Sequence, residues 1–377
     1  MKDSWSIISF GEAIKKNSKS KIQVNDAFES EQYPFFTSGV KILCFNDYLV
    51  EGKNIFMSTG GNAQVKFYSG KSSYSTDTFS FTCAKDFDVK FIYYLLCLNI
   101  DKINFSYFIG SGLKHLQKDL LEKSVFKLPP ILQQQKIAKI LSTVDNVIEK
   151  TKSAIGKYQA IKQGLMHDLF TRGIDVNTGL LRPTAEDAPA LYKESALGLI
   201  PKEWEVKKLE EFLILKSGDG ITSKDIYSFE EYPVYGGNGL RGYTNTYTHE
   251  GAYVLIGRQG ALCGNITLAD SKFYASEHAV VVTIIDESNV KWVEYKLRLM
   301  NLNQYSEASA QPGLSVNKIN RLFIKVPNGN EQNLIAEKFI GLESKIQTEH
   351  QALAKHQQLK AGLLQDLLTG KVEVSVN

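Results

Sequence analysis

The sequence predicts an α+β protein in which two β-rich globular domains are joined by two long helices that form an antiparallel coiled coil. Three observations lead to this fold class. The segment GLMHDLFTRGIDV at Gly164 recurs as GLLQDLLTGKVEV at Gly362, a shift of 198 residues in a chain of 377. Apolar residues before both segments follow a heptad pattern. The rest of each half consists of short segments rich in β-branched and aromatic residues, which favour strands.

The duplication extends well beyond the repeated phrase, and internal repeats of this kind decide the architecture before any other feature. At the same shift of 198 residues, LPPILQQQKIAKILSTVDNVI at Leu128 aligns without a gap with VPNGNEQNLIAEKFIGLESKI at Val326. Upstream the match is looser and needs small gaps, with Trp5 over Trp204 and Gly112 over Gly313. The chain therefore consists of two copies of one unit, each a diverged globular part followed by a better matched helical segment.

The matched segments carry a hydrophobic seam with steps of three and four residues, which is typical of a coiled coil. The predicted seam residues are Ile137, Leu141, Val144, Ile148, Ile155, Leu165 and Leu169 in the first copy and Ile335, Phe339, Leu342, Ile346, Leu353, Leu363 and Leu367 in the second. Polar residues interrupt both seams at equivalent positions, Lys162 and Lys360 among them. A helix of roughly 40 residues is about 60 Å long and needs a partner along its length. The nearest partner is its duplicate, and a two-fold axis across the pair would make the helices antiparallel.

The globular parts are predicted to be mainly β, with one clear helix each. NIFMSTG at Asn54, TFSFTC at Thr78, AYVLIG at Ala252 and FYASEHAVVVTII at Phe273 favour strands, whereas YYLLCLNIDKI at Tyr93 and WVEYKLRLMNL at Trp292 favour helices. After the first long helix, glycines and prolines between Gly173 and Pro201 predict an irregular connector.

Loops in both globular parts combine basic and amide side chains with glycine and tyrosine. They are STGGNAQVKFYSGKSS at Ser58, YGGNGLRGYTNTYTHEG at Tyr235 and IGRQGALCGNI at Ile256. Arginine and lysine suit guanine edges and phosphates, asparagine and glutamine suit adenine, and glycine permits close backbone approach. The candidate DNA-binding residues are Asn62, Gln64, Lys66, Lys71, Asn238, Arg241, Arg258 and Gln259. Ordinary polar hairpin turns are the alternative interpretation of these loops.

Composition and charge narrow the class of protein. No apolar run approaches the length of a membrane span and the first residues lack a signal-peptide core, so we expect a cytoplasmic protein with no membrane partner. The four cysteines show no C-x-x-C spacing and the six histidines no H-E-x-x-H pattern, so no metal site is predicted. A net charge of +3 permits nucleic-acid binding without requiring it.

Two catalytic patterns fail on inspection. FIGSG at Phe108 is similar to a methyl-donor loop, but its counterpart around Gly313 does not preserve the pattern. SGKSS at Ser69 lacks the glycine that a phosphate-binding loop requires, because that position is Val65. We therefore expect no catalytic residues in this chain. A stand-alone DNA methyltransferase, or a coiled-coil scaffold without a DNA role, are the alternatives.

In combination, these features resemble the specificity subunit of type I restriction-modification enzymes over essentially the full length. The resemblance rests on the duplication, on the helix start P-x(n)-Q-x-x-I-A, and on the G-L-I-P-x-x-W segment from Gly198 to Trp204 that begins the second copy. The helix start occurs twice, as Pro129, Gln134, Ile137 and Ala138 and as Pro327, Gln332, Ile335 and Ala336.

The resemblance implies a domain organisation: target recognition domains at 1–128 and 201–326, spacer helices at 129–172 and 327–370, a connector at 173–200 and a C-terminal tail at 371–377. It also implies a non-catalytic subunit that reads a bipartite, asymmetric site in double-stranded DNA. The implied partners are two modification (methyltransferase) subunits and restriction/translocase subunits. S-adenosylmethionine, ATP and Mg²⁺ would be bound by those partners and not by this chain.

Overall fold

The computed structural model describes residues 5–307 and 312–375. The first four residues of the first predicted domain, four residues of the second and the last two of the tail lie outside the described residues. It divides into two compact units. Unit 1 is Met1–Ala154 with Glu349–Asn377, and unit 2 is Ile155–Thr348. Each unit thus includes a globular part and a portion of both long helices, whereas the sequence-based boundaries treat the helices as separate elements.

Both units contain helices and strands. The helices are α1 (Phe10–Ala13), α2 (Val89–Leu98), α3 (Ile100–Tyr107), α4 (Lys118–Lys123), α5 (Ile131–Thr171), α6 (Val290–Leu299), α7 (Val316–Asn320) and α8 (Gly329–Leu368). The strands before the connector are β1 (Ser6–Ser9), β2 (Ile14–Lys16), β3 (Tyr33–Phe36), β4 (Leu43–Phe45), β5 (Lys53–Ser58), β6 (Val65–Ser69), β7 (Ser73–Tyr74), β8 (Thr78–Cys83), β9 (Phe108–Ile109), β10 (His115–Leu116) and β11 (Val125–Leu128).

The later strands are β12 (Tyr192–Lys193), β13 (Ile200–Pro201), β14 (Glu205–Lys208), β15 (Leu213–Ser217), β16 (Tyr232–Gly236), β17 (Gly239–Thr244), β18 (His249–Glu250), β19 (Tyr253–Gly257), β20 (Ile266–Ala269), β21 (Lys272–Ala275), β22 (Ala279–Ile284) and β23 (Phe323–Val326). None of the helices in the described part of the chain is long and apolar enough to cross a membrane.

The two units repeat one sheet topology. Unit 1 contains a four-stranded antiparallel sheet in the order β2-β8-β5-β6 and a smaller sheet in the order β4-β3-β7. Unit 2 contains the matching sheets β15-β22-β19-β20 and β17-β16-β21, the second extended by β18. In both units the smaller sheet contains one parallel pair, β3 with β7 and β16 with β21. The duplication seen in the sequence is thus a duplication of fold.

Two sequence-based expectations need correction. In unit 1, the single helix expected at Tyr93 is part of two helices, because a capping turn at Asn99 separates α2 from α3. The connector was expected to be irregular, yet β12 and β13 pair in it, with Tyr192 opposite Pro201. Proline is tolerated there because a pair of such short strands leaves its missing N–H at an edge.

Each unit has a core to which the long helices contribute. In unit 1, Ile137 and Leu141 of α5 and Leu367 of α8 are buried in the same cluster as the helix α2. In unit 2, Leu169 of α5 and Phe339 of α8 occupy the corresponding cluster. The predicted seam residues are all buried or half-buried. The seam therefore also forms part of the core of the globular parts, which explains why its apolar residues continue to the helix ends.

The polar residues in the seam form equivalent clusters. In unit 1, Asp145 of α5 accepts a hydrogen bond from Tyr94 Oη at 2.6 Å and pairs with Lys360 of α8 at 2.6 Å. In unit 2, Glu343 of α8 accepts a hydrogen bond from Tyr295 Oη at 2.7 Å and pairs with Lys162 of α5.

Within each unit these contacts order the helix segments antiparallel. In unit 2, Phe170 stacks on Phe339 while Lys162 pairs with Glu343, so the position on α5 decreases as that on α8 increases. Burial works to raise the pKa of Glu343, but the hydrogen bonds from Lys162 and Tyr295 outweigh it and lower that pKa. Glu343 is thus held as a carboxylate, and the lysines that interrupt the seam are paired.

A buried ion pair fixes the connector in unit 2. Glu331, at the start of α8, is fully buried and forms a bidentate pair with Arg182 of the connector. The same carboxylate accepts hydrogen bonds from Trp204 Nε1 at 3.0 Å and Ile174 N at 2.8 Å. Gly173 has φ +68, and a Cβ there would lie 2.1 Å from Glu331 Oε1, so only glycine fits.

A buried lysine in unit 2 predicts a pH-dependent stability. Lys296 of α6 is 9% exposed and its Nζ lies 5.6 Å from the centre of the Phe170 ring. Burial, with a smaller contribution from Lys325, lowers the pKa of Lys296 to about 8. Since the unfolded chain binds this proton more tightly, the destabilisation is complete below pH 8 and is relieved as the pH rises towards the ordinary lysine pKa of about 10.4.

We therefore expect Lys296→Met to stabilise unit 2 by about 2–3 kcal/mol at pH 7 and by much less at pH 10. Urea denaturation of the variant and the original chain at both pH values measures the difference. Lys338→Met, at an exposed position on α8, is the control and should have little effect at either pH. A stabilisation by Lys296→Met that is equal at pH 7 and pH 10 would contradict the assignment.

Candidate nucleic-acid interface

Polar side chains from separate loops of unit 2 meet in one groove of about 500 Å³. Its lining includes Asn238 and Arg241 from the β16–β17 turn, Gln259 after β19, and His278 before β22. Asn238, Arg241 and Gln259 are exposed. Together they supply both donors and acceptors of hydrogen bonds, which is what recognition of base edges requires.

The groove depends on backbone hydrogen bonds that hold its loops together. Arg258 N donates to His278 O at 2.8 Å, Leu314 N donates to Arg258 O at 2.9 Å, and Gly260 N donates to Pro312 O at 2.9 Å. Gly237 must lack a side chain, because a Cβ there would lie 2.7 Å from Gln259 O. A fixed backbone orients the side chains before any ligand arrives, which lowers the cost of binding.

Arg258 occupies a neighbouring position. It lines an adjoining cavity of about 430 Å³ together with Gln259, Ser315 and Asn317. Its guanidinium donates a hydrogen bond to Ser217 Oγ at 3.0 Å. The structure thus brings together Asn238, Arg241 and Gln259. Arg258 lies beside them, half-buried, and its hydrogen bond to Ser217 orients its side chain.

Unit 1 has the same loop framework. Thr59 N donates to Asp77 O at 3.2 Å, Leu116 N to Thr59 O at 2.9 Å, and Gly61 N to Lys114 O at 2.9 Å. These bonds correspond one for one to those of Arg258, Leu314 and Gly260 in unit 2. With the bond from Thr59 N to Ser38 Oγ at 3.2 Å, they join four loops, which we call the rim of unit 1: the β3–β4 turn (37–42), the β5–β6 turn (59–64), the β7–β8 turn (75–77) and the β9–β10 turn (110–114).

The four predicted residues of unit 1 are not all at this rim. Asn62 is exposed and Gln64 half-buried, both in the β5–β6 turn. Lys66 donates hydrogen bonds to Thr37 O at 2.9 Å and to Gly39 O, so it holds the β3–β4 turn in place, and burial lowers its pKa. Lys71 lies beyond the other end of β6 with its Nζ over the Tyr48 ring at 4.5 Å.

A basic groove in unit 1 was missed from the sequence. Its lining residues are Lys16, Asn17, Ser18, Lys19, Ser20, Lys21, Ile22, Leu49, Val50 and Tyr74, around a volume of about 430 Å³. Lys71 is next to Ser72, whose backbone exchanges hydrogen bonds with Val50. The cluster KKNSKSK at Lys15 is a local charge signal that could have been read from the sequence. Clustered lysines of this kind suit phosphate contacts.

The duplicated fold, with a groove in unit 2 and an unlike rim in unit 1, defines a protein of two modules. The chain belongs to the family described as the type I restriction modification DNA specificity domain, whose model matches residues 2–157 and 201–358. The two matches correspond to the two copies found in the sequence, and they confirm the family resemblance.

Individual relatives agree with this. The specificity subunit of the Escherichia coli type I restriction enzyme EcoprrI is 43% identical over 151 residues, which cover 38% of each chain. That of the MjaVIII enzyme of Methanocaldococcus jannaschii is 28% identical over 230 residues, 57% of this chain and 51% of that one. The matches span about half of the length of these curated relatives or less.

A solved structure extends the similarity to the fold of nearly the whole chain. The S subunit of a type I restriction-modification system from M. genitalium aligns with a TM-score of 0.70 at 16% identity and covers 98% of this chain and 97% of that one. The predicted fold class, two β-rich domains with two long helices, is thereby confirmed.

Proposed function

We propose that this chain is the DNA sequence-recognition subunit of a type I restriction-modification complex and that each unit reads one half of a bipartite, asymmetric site. The observation that carries the proposal is that the groove of unit 2 and the rim of unit 1 share a backbone framework but differ in their side chains. The same backbone hydrogen bonds recur in both units, while the polar groove positions of unit 2, Asn238, Arg241, Gln259 and His278, carry different residues in unit 1. Two domains of one shape with different chemistry suit two different half-sites on one duplex.

The groove residues of unit 2 would read base edges. Arg241 can donate two hydrogen bonds to a guanine, and Asn238 and Gln259 can each form a two-bond pair with an adenine. In unit 1, Lys16, Lys19 and Lys21 would contact phosphates, which supplies affinity but no sequence information. Lys66 would act as a positioning residue, because its hydrogen bonds hold the β3–β4 turn.

The catalytic activities would belong to partners, in a cytoplasmic complex. We propose that two modification subunits bind the long helices, with S-adenosylmethionine on those subunits, and that restriction subunits contribute the reactions that need ATP and Mg²⁺. Such an assembly needs a chain that reads DNA and holds identical partners, and the closely matched helices beside diverged rims are suited to that task.

Exchange of one globular part tests modular recognition. We expect replacement of residues 1–128 by the corresponding domain of a relative to change one half of the methylated motif only. Leu128 ends β11 and its pairing partner β1 lies in the same segment, so the exchange keeps the strand pair intact and leaves α5 unchanged.

The methylated motif of a host that expresses this chain with its modification subunit, determined before and after the exchange, is the measurement. Exchange of residues 201–326 is the reciprocal control and should change only the other half. Changes in both halves from a single exchange would refute modular recognition, and the absence of any bipartite motif would refute the proposed function.

Exposed apolar residues on the helices predict the partner surface. Ile161 of α5 and Leu359 of α8 are equivalent under the 198-residue shift, and each side chain is 52% exposed. Ile140, which also belongs to a second apolar row in the sequence, is half-buried against the core of unit 1 and is not available.

We expect Ile161→Glu with Leu359→Glu to prevent co-purification of modification subunits without lowering the Tm of the chain, since both positions are exposed. Gln163→Glu with Gln358→Glu, which adds the same charge at exposed neighbouring positions, is the control and should leave the complex intact. Undiminished stoichiometry in the first variant would show that the partners bind elsewhere.

A further inference from the structure

The rim of unit 1 lacks the arginine and the two amide side chains that line the groove of unit 2. The aligned hairpins β3–β4 and β16–β17 place Ile42 at the position of Arg241 and Gly39 at that of Asn238. The matching backbone hydrogen bonds place Gly60 at the position of Gln259 and Asp77 at that of His278. The arginine and the two amide groups that could pair with base edges in unit 2 therefore have no equivalents at these positions of unit 1, where Asp77 is the polar side chain that remains.

Large apolar side chains are exposed at this rim instead. Val40 is 81% exposed and Ile42 50% exposed at the β3–β4 turn, and Leu113 is 66% exposed at the β9–β10 turn. Unit 2 exposes Leu240 at its corresponding turn, but the groove beside it is lined by polar residues. These exposed side chains contribute little to the core of unit 1 and are available for contact with a ligand.

The apolar side chains are held in fixed positions. Lys66 donates hydrogen bonds to the carbonyl groups of Thr37 and Gly39, and Gly39 N donates to Thr37 Oγ1 at 3.1 Å. Thr59 N donates to Ser38 Oγ at 3.2 Å, which joins the β3–β4 turn to the loop after β5. Gly61 N donates to Lys114 O at 2.9 Å, which joins the β9–β10 turn to the same loop, so the turns that carry the three apolar side chains are connected by hydrogen bonds.

The surrounding charge favours DNA over an apolar protein surface. Lys114 lies next to Leu113 in the β9–β10 turn and is exposed. Lys41, between Val40 and Ile42, pairs with Glu29 at the outside of the hairpin. Apolar groups bordered by lysines match the major groove of an A·T pair, in which the thymine methyl group is the apolar feature and the phosphates lie on both sides.

We propose that unit 1 recognises its half-site through the 5-methyl groups of thymine, which Val40, Ile42 and Leu113 contact, whereas unit 2 recognises its half-site through hydrogen bonds. This inference rests on the proposed function and assigns a chemical basis to one of its two sites. Discrimination then depends on burying a methyl group, so removal of that methyl from the DNA alone should weaken binding by about fourfold at each contacted base.

Deoxyuridine provides the test, because it keeps the hydrogen-bonding edge of thymine and lacks only the methyl group. The full chain in complex with its modification subunit is titrated with duplexes in which each thymine of the methylated motif is replaced singly. We expect about fourfold weaker binding for at least one replacement in the unit 1 half-site and less than twofold change for replacements in the unit 2 half-site.

The matching variant is Val40→Ala with Ile42→Ala, which should bind the thymine and deoxyuridine duplexes with a smaller difference in affinity than the original complex, since of the three contacts only Leu113 remains. The Tm of this variant should be unchanged. Threonine in place of alanine at Val40 in the same double variant keeps one methyl group and the side-chain shape, and should restore part of the discrimination. Equal binding of both duplexes by the original complex, or undiminished discrimination by the double variant, would overturn the inference while leaving a bipartite motif intact. Failure of the proposed function would appear differently, as the absence of any sequence-specific binding.

Discussion

Replacing Glu331 with alanine is expected to destabilise unit 2 by about 3–5 kcal/mol, because it leaves the charge of Arg182 buried without a partner. The Arg182 side chain is 8% exposed and Glu331 is fully buried, so solvent screening offers little compensation. Trp204 Nε1 and Ile174 N would also lose their acceptor. Urea denaturation followed by tryptophan fluorescence measures the effect, since Trp204 belongs to the cluster.

Gln133 provides a matched control, because it occupies in α5 the position that Glu331 occupies in α8 under the 198-residue shift. It is half-buried beside Trp5 and carries no charge, so Gln133→Ala should cost about 1 kcal/mol or less. The double variant Glu331→Ala with Arg182→Leu should recover part of the loss, since no unpaired charge remains. A loss for Glu331→Ala no larger than that for Gln133→Ala would show that the ion pair does not stabilise the connector.

Replacing Arg241 and Gln259 together with alanine is expected to reduce affinity for the recognised DNA roughly 100- to 1,000-fold. Each two-bond pair with a base contributes about 1–3 kcal/mol of discrimination, and both residues line the same groove. The loss should be confined to one half-site: specificity at the other half, read by unit 1, should be unchanged. Binding to duplexes with single base changes in each half, at one salt concentration, measures this.

A lysine variant distinguishes lost recognition from lost charge. Lys19→Ala with Lys21→Ala, in the basic groove of unit 1, should weaken binding to all sequences alike and reduce its dependence on salt. If the Arg241 and Gln259 variant likewise weakens cognate and altered duplexes by one common factor, these residues contact the DNA backbone and do not read bases.

The side chains that these experiments address differ in how visible they are in the sequence. Arg241 and Gln259 are recognisable as candidates because arginine and glutamine stand in glycine-rich loops. His278 is not, because it lies between two strands in a segment that looks entirely like β structure, and it reaches the groove through the Arg258 N to His278 O hydrogen bond. Lys66 looks like a DNA contact in the sequence, because it is a lysine in a glycine-rich segment. Only the structure shows that it instead donates hydrogen bonds to Thr37 and Gly39.

The sequence by itself determined the duplication, the two long helices and the seam between them, because a repeat and a heptad are local patterns that need no knowledge of distant contacts. It also indicated the family, through the repeated helix start and the segment before Trp204. The tertiary structure decided which loops meet, since the rims depend on strand order and on the parallel pairs β3–β7 and β16–β21, which join residues far apart in the chain. It also decided the partners of the buried Glu331 and the half-buried Lys162. The cost of leaving a charge unpaired in the folded chain selects such ion pairs, and that cost has no signature in local sequence.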